Sequence, residues 1–201
     1  MEVILITYKT HSAGGFFIGT LFIAIPFKYI LINYSILQIL ILLILYIYSL
    51  DIGSLFPDID HPQSYLGKRY SLISNLIHKK FSHRGFTHSL LFIYLLIFLS
   101  LVFNLSIRLF YHSFYAYFKI YIFSIQIGFI LGCISHIFFD MFNPTGVYLL
   151  YPHMKKYRLP LAPKIIINTP DEKQLCEYLS ILSSILSFVY FYVVIKSFSF
   201  L

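Results

Sequence analysis

The residues that could do chemistry are concentrated in one stretch of the sequence, residues 56–89. It holds two carboxylates and four imidazoles, and the candidate ligands among them are Asp58, Asp60, His61, His83 and His88. This density is high for a chain in which only 11% of residues are charged. Carboxylate and imidazole groups together are typical ligands of divalent metals, and a bound metal ion can activate water. The stretch therefore predicts a metal site.

The first motif in this stretch is Asp58-Ile59-Asp60-His61, which lies between Pro57 and Pro62. Proline favours an extended neighbour, so we expect an extended segment in which alternation puts both carboxylates on one side. Paired carboxylates beside an imidazole could bridge two metals, or hold one and take a proton from water. Taken alone, an ordinary polar turn with an Asp N-cap explains these residues better.

The second motif is residues 83–89, HRGFTHS. Thr87 is expected to cap the next helix, which would place His88 in its first turn. The positive end of the helix dipole would keep that ring neutral, as a ligand must be. Arg84 could bind a phosphate or carboxylate through two parallel hydrogen bonds, and a headgroup anchor explains it almost as well. His83 is a further candidate ligand.

Three candidates lie outside this stretch. His136 and Asp140 are four residues apart on a predicted helix and so share one face. A metal ion would offset the unfavourable position of Asp140 at the C-terminal end of the helix dipole. A buried histidine with a solvated aspartate fits this pair equally well. His11 precedes the first predicted span, close to small residues that permit close helix approach, Gly14, Gly15 and Gly19. Three histidines are expected to be non-ligands: His78, His112 and His153.

The elements that must position these groups are membrane helices. The chain is 59% hydrophobic with a mean hydropathy of +0.80, and its apolar residues come in runs. The predicted spans cover residues 12–32, 34–50, 89–104, 118–140 and 178–198. The third is short and is expected to extend further or to thin the bilayer. Residues 71–81 have the pattern of an amphipathic helix on the membrane surface. The prediction is an all-α, polytopic membrane helix bundle of about four to five transmembrane helices, forming one domain over residues 1–201.

Alternating spans bring all candidate ligands to one membrane interface. Eleven of the fifteen Lys and Arg residues fall on that side, which the positive-inside rule assigns to the cytoplasm. The net charge of +7 indicates contact with anionic lipid headgroups, and no direct nucleic-acid binding is expected.

These motifs resemble the YdjM-type family of membrane-bound proteins assigned as metal-dependent hydrolases, also described as LexA-binding and inner-membrane-associated. The resemblance rests on motifs that occur in order across about three quarters of the chain: His11 with Gly15, the 55–62 stretch LFPDIDHP with Ser64 and Leu66-Gly67, the 83–89 stretch HRGFTHS, Ser135-His136 with Asp140, Pro144 with Gly146-Val147, Leu150 with Pro152, and Arg158-Leu159-Pro160. The family is distantly similar to zinc-dependent phospholipase C and single-strand nucleases, which implies a helical fold and a phosphoester substrate.

The leading hypothesis is an integral membrane metal-dependent hydrolase that acts on a phosphoester, a lipid headgroup being one candidate, through a metal-activated water. The predicted ligands of one to three divalent ions, zinc first and manganese second, are His11, Asp58, Asp60, His61, His83, His88, His136 and Asp140. Asp58 or Asp60 would take the proton of the water, and Arg84 would stabilise the transition state. The alternative is a non-catalytic membrane tether that binds a cytoplasmic regulatory protein, with a structural metal. A metal-ion carrier ranks last, because few ionisable residues lie within the spans.

Overall fold

A computed structural model of the protein describes residues 8–81, 84–159 and 169–198. Its helices, in chain order, are α1 (Tyr8–Asn33), α2 (Ile36–Leu55), α3 (Tyr65–Arg69), α4 (Ser71–Lys80), α5 (Leu90–Phe110), α6 (His112–Asp140) and α7 (Pro170–Phe198). Two short 3-10 helices, Phe56–Asp60 and Phe86–His88, connect α2 to α3 and α4 to α5. Within the described residues no strand forms beyond a single antiparallel bridge between Val147 and Tyr157. The predicted all-α bundle is confirmed.

Three of the described helical segments are long and apolar enough to cross a membrane: Ile36–Asp60, Leu90–Phe110 and His112–Asp140. The helices α1 and α7, with 26 and 29 residues, match the other two predicted spans in position. A transmembrane count of four to five is therefore supported only roughly. The third predicted span corresponds to α5, which has 21 residues and ends at Phe110. Of the two expectations for this short span, extension beyond residue 104 is therefore confirmed. Large apolar side chains cover its outside, such as Phe98 and Leu101, which are 61% and 62% exposed.

The helix boundaries follow from capping residues in the sequence. Ser35 and Gln38 form a capping box at the start of α2, which satisfies backbone donors that the first turn leaves free. Ser89 caps α5 by accepting a hydrogen bond from the backbone N–H of Phe92. The expectation that Thr87 caps this helix is therefore wrong. His88 lies in the preceding 3-10 helix and not in the first turn of α5.

The prediction of an extended Asp58-Ile59-Asp60 segment is also wrong. Residues 56–60 form a 3-10 helix that continues directly from α2. Pro57 occupies its first turn, where a missing N–H costs nothing and the fixed φ suits a helix. As a result the two carboxylates point in different directions.

Close packing of α1, α2 and α6 places the ends of these helices next to one another. The most extensive helix pair among the described elements is α2 with α6, and its backbones meet at Gly53, Gly128 and Gly132. A Cβ at Gly53 would collide with the Phe129 carbonyl oxygen, and one at Gly132 with the Leu50 carbonyl oxygen. The glycines of α1 behave as predicted, since a Cβ at any of them would meet a side chain of α2 or α6: Gly14, Gly15 and Gly19.

Replacing Gly132 by valine is expected to lower the stability of the protein by about 3 kcal/mol or more, because the groups it would meet are backbone atoms that cannot rotate away. Thermal unfolding in detergent measures this loss. Ala116→Val, an exposed position on the same helix, is the matched control and should change the midpoint little. Equal midpoints for the two variants would contradict this account of the α2–α6 interface.

The segment after α6 folds back over the same end of the bundle. Its bridge between Val147 and Tyr157 orders a loop whose backbone reaches two other elements. The N–H of Leu90 donates to the Leu149 carbonyl, and the N–H of Tyr148 donates to the Arg84 carbonyl. The helix α7 then packs along α1, where Thr10 donates a buried hydrogen bond to Glu172. Residues 82–83 and 160–168 lie outside the described part of the chain.

Candidate metal centre

Four buried side chains converge where α2, α5 and α6 end or begin: Asp58, His88, His136 and Asp140. One ligand atom from each lies within 4.8 Å of the other three. Three of the residues are 0–1% exposed, and Asp58 is 8% exposed. We call this group the His/Asp cluster. It could hold a divalent metal ion.

The distances within the cluster fit four ligand atoms around a single ion. The two Nε2 atoms of His88 and His136 are 3.1 Å apart. Asp58 Oδ1 lies 3.5 Å from each of them, and Asp140 Oδ2 lies 3.3 Å from His88 Nε2 and 4.0 Å from His136 Nε2. Ligand atoms about 2.1 Å from a tetrahedral zinc ion are about 3.4 Å apart. The cluster therefore already has close to the size that such an ion requires.

Both imidazoles are oriented so that Nε2 faces the centre of the cluster. The Nδ1 of His136 lies 2.6 Å from the carbonyl oxygen of Ser54. Because a carbonyl oxygen can only accept a hydrogen bond, this Nδ1 carries a proton and donates it. The Nδ1 of His88 lies 3.0 Å from Thr87 Oγ1, which itself donates to Asp60 Oδ2 at 2.6 Å. Partners of this kind fix the tautomer of a metal-binding histidine and leave its other nitrogen free to bind.

Asp58 and Asp60 approach His88 from opposite edges of its ring. Asp58 Oδ1 is near Nε2, whereas Asp60 Oδ2 is 3.5 Å from Nδ1. Asp60 also accepts hydrogen bonds from Thr87 and from the backbone N–H of Arg84. Asp58 Oδ1, by contrast, accepts no hydrogen bond of normal geometry within the described residues. The 3-10 helix thus gives the two carboxylates different positions, one in the cluster and one behind it.

Arg84 holds the second carboxylate of the cluster. Its Nε is 3.0 Å from Asp140 Oδ2, and one terminal nitrogen is 3.3 Å from Asp140 Oδ1, a two-point contact with a carboxylate that is 1% exposed. The other terminal nitrogen bonds to Thr145 Oγ1. The Asn143 amide completes the arrangement when its oxygen faces the guanidinium, at 2.9 and 3.2 Å. Arg84 adopts this position with a φ of 61°, a left-handed conformation that is uncommon outside glycine.

The cluster attracts positive charge. Three buried carboxylates, those of Asp58, Asp60 and Asp140, lie in or beside the cluster with one buried guanidinium, that of Arg84. Two negative charges therefore remain when the imidazoles are neutral. Burial disfavours the charged form of His88, but the surrounding carboxylates, first of all Asp60, outweigh burial and raise the pKa of His88 well above its usual range. Because His88 lies in the 3-10 helix and not in the first turn of α5, the dipole of α5 does not act on its ring as expected. With both imidazoles neutral, as metal ligands must be, one divalent cation would balance the two negative charges.

The other predicted ligands have different positions. His11 stacks on His136 with ring centroids 3.7 Å apart, and its Nε2 is 3.7 Å from Asp140 Oδ1. It lies against the cluster without belonging to the four-atom group. His61 and Asp60 lie outside that group as well. His83 falls outside the described residues.

Four residues whose role was not predicted from the sequence contact the cluster or the side chains behind it: Ser54, Thr87, Asn143 and Thr145. For Thr87 the unpredicted role is its hydrogen bond to Asp60. Only Thr87 carried a signal, since it adjoins a candidate ligand. His78 was expected to be a non-ligand, and the structure gives it a supporting contact, with Nδ1 2.9 Å from the carbonyl oxygen of Asp60.

Thr87→Val is expected to weaken metal binding by about 10–100-fold, the usual effect of losing a partner behind a ligand. Valine keeps the shape of the side chain but removes the link from His88 Nδ1 to Asp60. Competition with a chelator measures the affinity, and Thr87→Ser should restore most of it. Equal affinities for the valine and serine variants would show that the hydroxyl has no such role.

Comparisons with known proteins find one family and three curated relatives. Residues 6–198 match the sequence profile of a family described as YdjM inner membrane protein. The chain is 43% identical over 107 residues to the inner membrane protein YdjM of Escherichia coli (strain K12), covering 53% of this chain and 49% of that protein, and equally similar to the Shigella flexneri protein of the same name. It is 34% identical over 113 residues to the uncharacterized protein YvsG of Bacillus subtilis (strain 168), covering 56% of this chain and 61% of that one.

The matched regions span about half the length of the two YdjM proteins and 61% of YvsG. No solved structure matches the chain.

Proposed function

Because the chain belongs to the family of YdjM inner membrane proteins and carries a buried group of residues that could bind a divalent metal, we propose that it is a membrane-embedded, metal-dependent hydrolase of phosphoesters. The observation that carries this proposal is the His/Asp cluster, in which two imidazole nitrogens and two carboxylate oxygens already have the spacing of ligands around one ion. Mixed nitrogen and carboxylate ligands favour zinc, with manganese as the second choice.

The residues of the cluster would hold the ion, which would bind a water as an additional ligand. The ion would then supply Lewis-acid polarisation and lower the pKa of that water. We assign the general base to Asp58, because it alone among the four cluster residues is reached by solvent, its side chain being 12% exposed against 0–1% for the others. Substrate would enter from the same side. Asp60, predicted from sequence as an alternative base, is fully buried and bonded to Thr87. It would orient His88 instead.

Arg84 has a different part in this proposal from the one expected from sequence. Stabilising a transition state requires donors directed at the substrate. The guanidinium of Arg84 already bonds to Asp140 and Thr145 and is only 10% exposed. We therefore assign Arg84 to positioning Asp140.

A phosphoester in a lipid headgroup suits the location of the cluster. The cluster lies where the membrane-crossing segments Ile36–Asp60 and His112–Asp140 end and where α5 begins. A site at that level could act on a headgroup while the acyl chains stay in the bilayer. The excess of Lys and Arg on this side favours a cytoplasmic orientation.

The test is turnover by protein purified in detergent and reconstituted with zinc or manganese. Phospholipids and soluble phosphoesters are offered as substrates, and released phosphate or headgroup is measured. We expect metal-dependent hydrolysis that is lost in Asp58→Asn and kept in His112→Ala, an exposed histidine at the start of α6. Metal-loaded, folded protein that hydrolyses none of these substrates would contradict the proposal and favour the membrane tether with a structural metal.

A further inference from the structure

The helix α4 presents an apolar face that no described residue covers. Leu72, Ile73 and Leu76 are 81%, 51% and 69% exposed, and they lie on one side of the helix. The opposite side is packed, with Ser74 fully buried and His78 bonded to the Asp60 carbonyl. The helix is therefore fixed to the protein by one side while its apolar residues point away from it.

The position of α4 places this face at a membrane surface. The 3-10 helix Phe56–Asp60, on which α4 packs, continues directly from the membrane-crossing helix α2. The crossing helix α5 begins ten residues after α4 ends. Since both neighbours enter the bilayer at this level, α4 lies beside the lipid headgroups and not far out in water.

The charges around α4 have one sign. Lys68 and Arg69 precede the helix, and Lys79 and Lys80 end it. No acidic residue occurs in the sequence from His61 to Phe139. The nearest carboxylates in the sequence, Asp58 and Asp60, are buried in or behind the His/Asp cluster. An exposed apolar face flanked by basic residues is complementary to an anionic lipid surface.

We propose that α4 lies in the headgroup layer of an anionic phospholipid bilayer, with Leu72, Ile73 and Leu76 among the acyl chains. The basic residues at its two ends contact lipid phosphates. Because His78 bonds to the Asp60 carbonyl, the lipid contact also holds the 3-10 helix that carries Asp58 of the cluster and Asp60 behind it. The apolar face of α4 and the basic residues beside it thus form a lipid-binding site coupled to the metal centre. Lipid binding at this site does not depend on whether the cluster catalyses hydrolysis.

The test is the depth of spin labels on α4 in vesicles. Single cysteines replace Leu72 or Leu76 on the apolar face, and Ser71 or Asn75, both exposed on another side, serve as matched controls. The background is Cys176→Ser, because Cys133 is buried. Each variant carries a nitroxide and is reconstituted in phosphatidylcholine vesicles with and without phosphatidylglycerol. Collisions with oxygen, which concentrates in lipid, are compared with collisions with a water-soluble nickel chelate.

We expect oxygen to dominate at positions 72 and 76 and the nickel chelate to dominate at 71 and 75. Nickel access at all four positions would show that α4 faces water and would overturn the proposal. Shielding of positions 72 and 76 from both reagents would also overturn it, because a second copy or another protein would then cover the face.

The charge component is tested with Lys79→Gln/Lys80→Gln. The difference in label depth between vesicles with and without phosphatidylglycerol should shrink in this variant. An unchanged difference would overturn the preference for anionic lipid. Metal content, measured on each labelled protein, separates a failure of this surface from a failure of the metal centre.

Discussion

His136→Ala will purify with less than stoichiometric divalent metal, whereas the wild-type protein will carry about one zinc or manganese ion per chain when the metal is supplied. We expect this loss because His136 Nε2 lies within 4.0 Å of all three other ligand atoms of the cluster. We expect the affinity to fall by more than about 100-fold, beyond the loss caused by removing an outer partner. Alanine also removes the stacking partner of His11.

Elemental analysis of protein purified without chelator provides the measurement. The matched control is His112→Ala, since it removes an exposed histidine from the same helix and should leave the metal content unchanged. Far-UV circular dichroism checks that both variants stay helical. Full metal content in a folded His136→Ala protein would exclude this residue as a ligand, and absence of metal from the wild type would remove the basis of the proposed hydrolase.

Sequence reasoning located the elements of this fold because their signals are local. Long apolar runs predict the crossing helices, and the match of α2, α5 and α6 to predicted spans follows from composition alone. The residue types at Asp58, His88, His136 and Asp140 are those of metal ligands, and alternation of spans predicts that they meet at one interface. The structure brings these four together.

The inner arrangement of the cluster could not be predicted because it depends on contacts between distant residues. Pro57 is compatible both with an extended segment and with the first turn of a helix. Residues 56–60 are helical because they continue directly from the end of α2. The carbonyl of Ser54 carries no sequence signal, although it orients His136 across a separation of 82 residues. The guanidinium of Arg84 can bind either a phosphate or a carboxylate, so its residue type does not identify its partner. The fold shows that this partner is Asp140.

Arg84→Ala is expected to destabilise the protein by about 3–5 kcal/mol, the usual cost of breaking a buried ion pair by removing one partner. Asp140 would lose its two-point contact while remaining buried at 1% exposure. Arg84→Lys should recover part of this loss, because lysine restores the charge without the planar pair of donors. The free energy of unfolding in a mild detergent, titrated with denaturant, measures both effects.

Arg69→Ala is the matched control, since Arg69 is exposed at the end of α3 and its removal should cost less than about 0.5 kcal/mol. Added zinc shows whether Arg84 stabilises the protein through the charge of Asp140 or through packing. A bound cation also neutralises Asp140, so saturating metal should reduce the loss in Arg84→Ala, and the stabilisation by metal should be larger in this variant than in the wild type. A loss of equal size with and without metal would show that Arg84 acts on the packing of the 141–159 loop and not on the charge of the cluster.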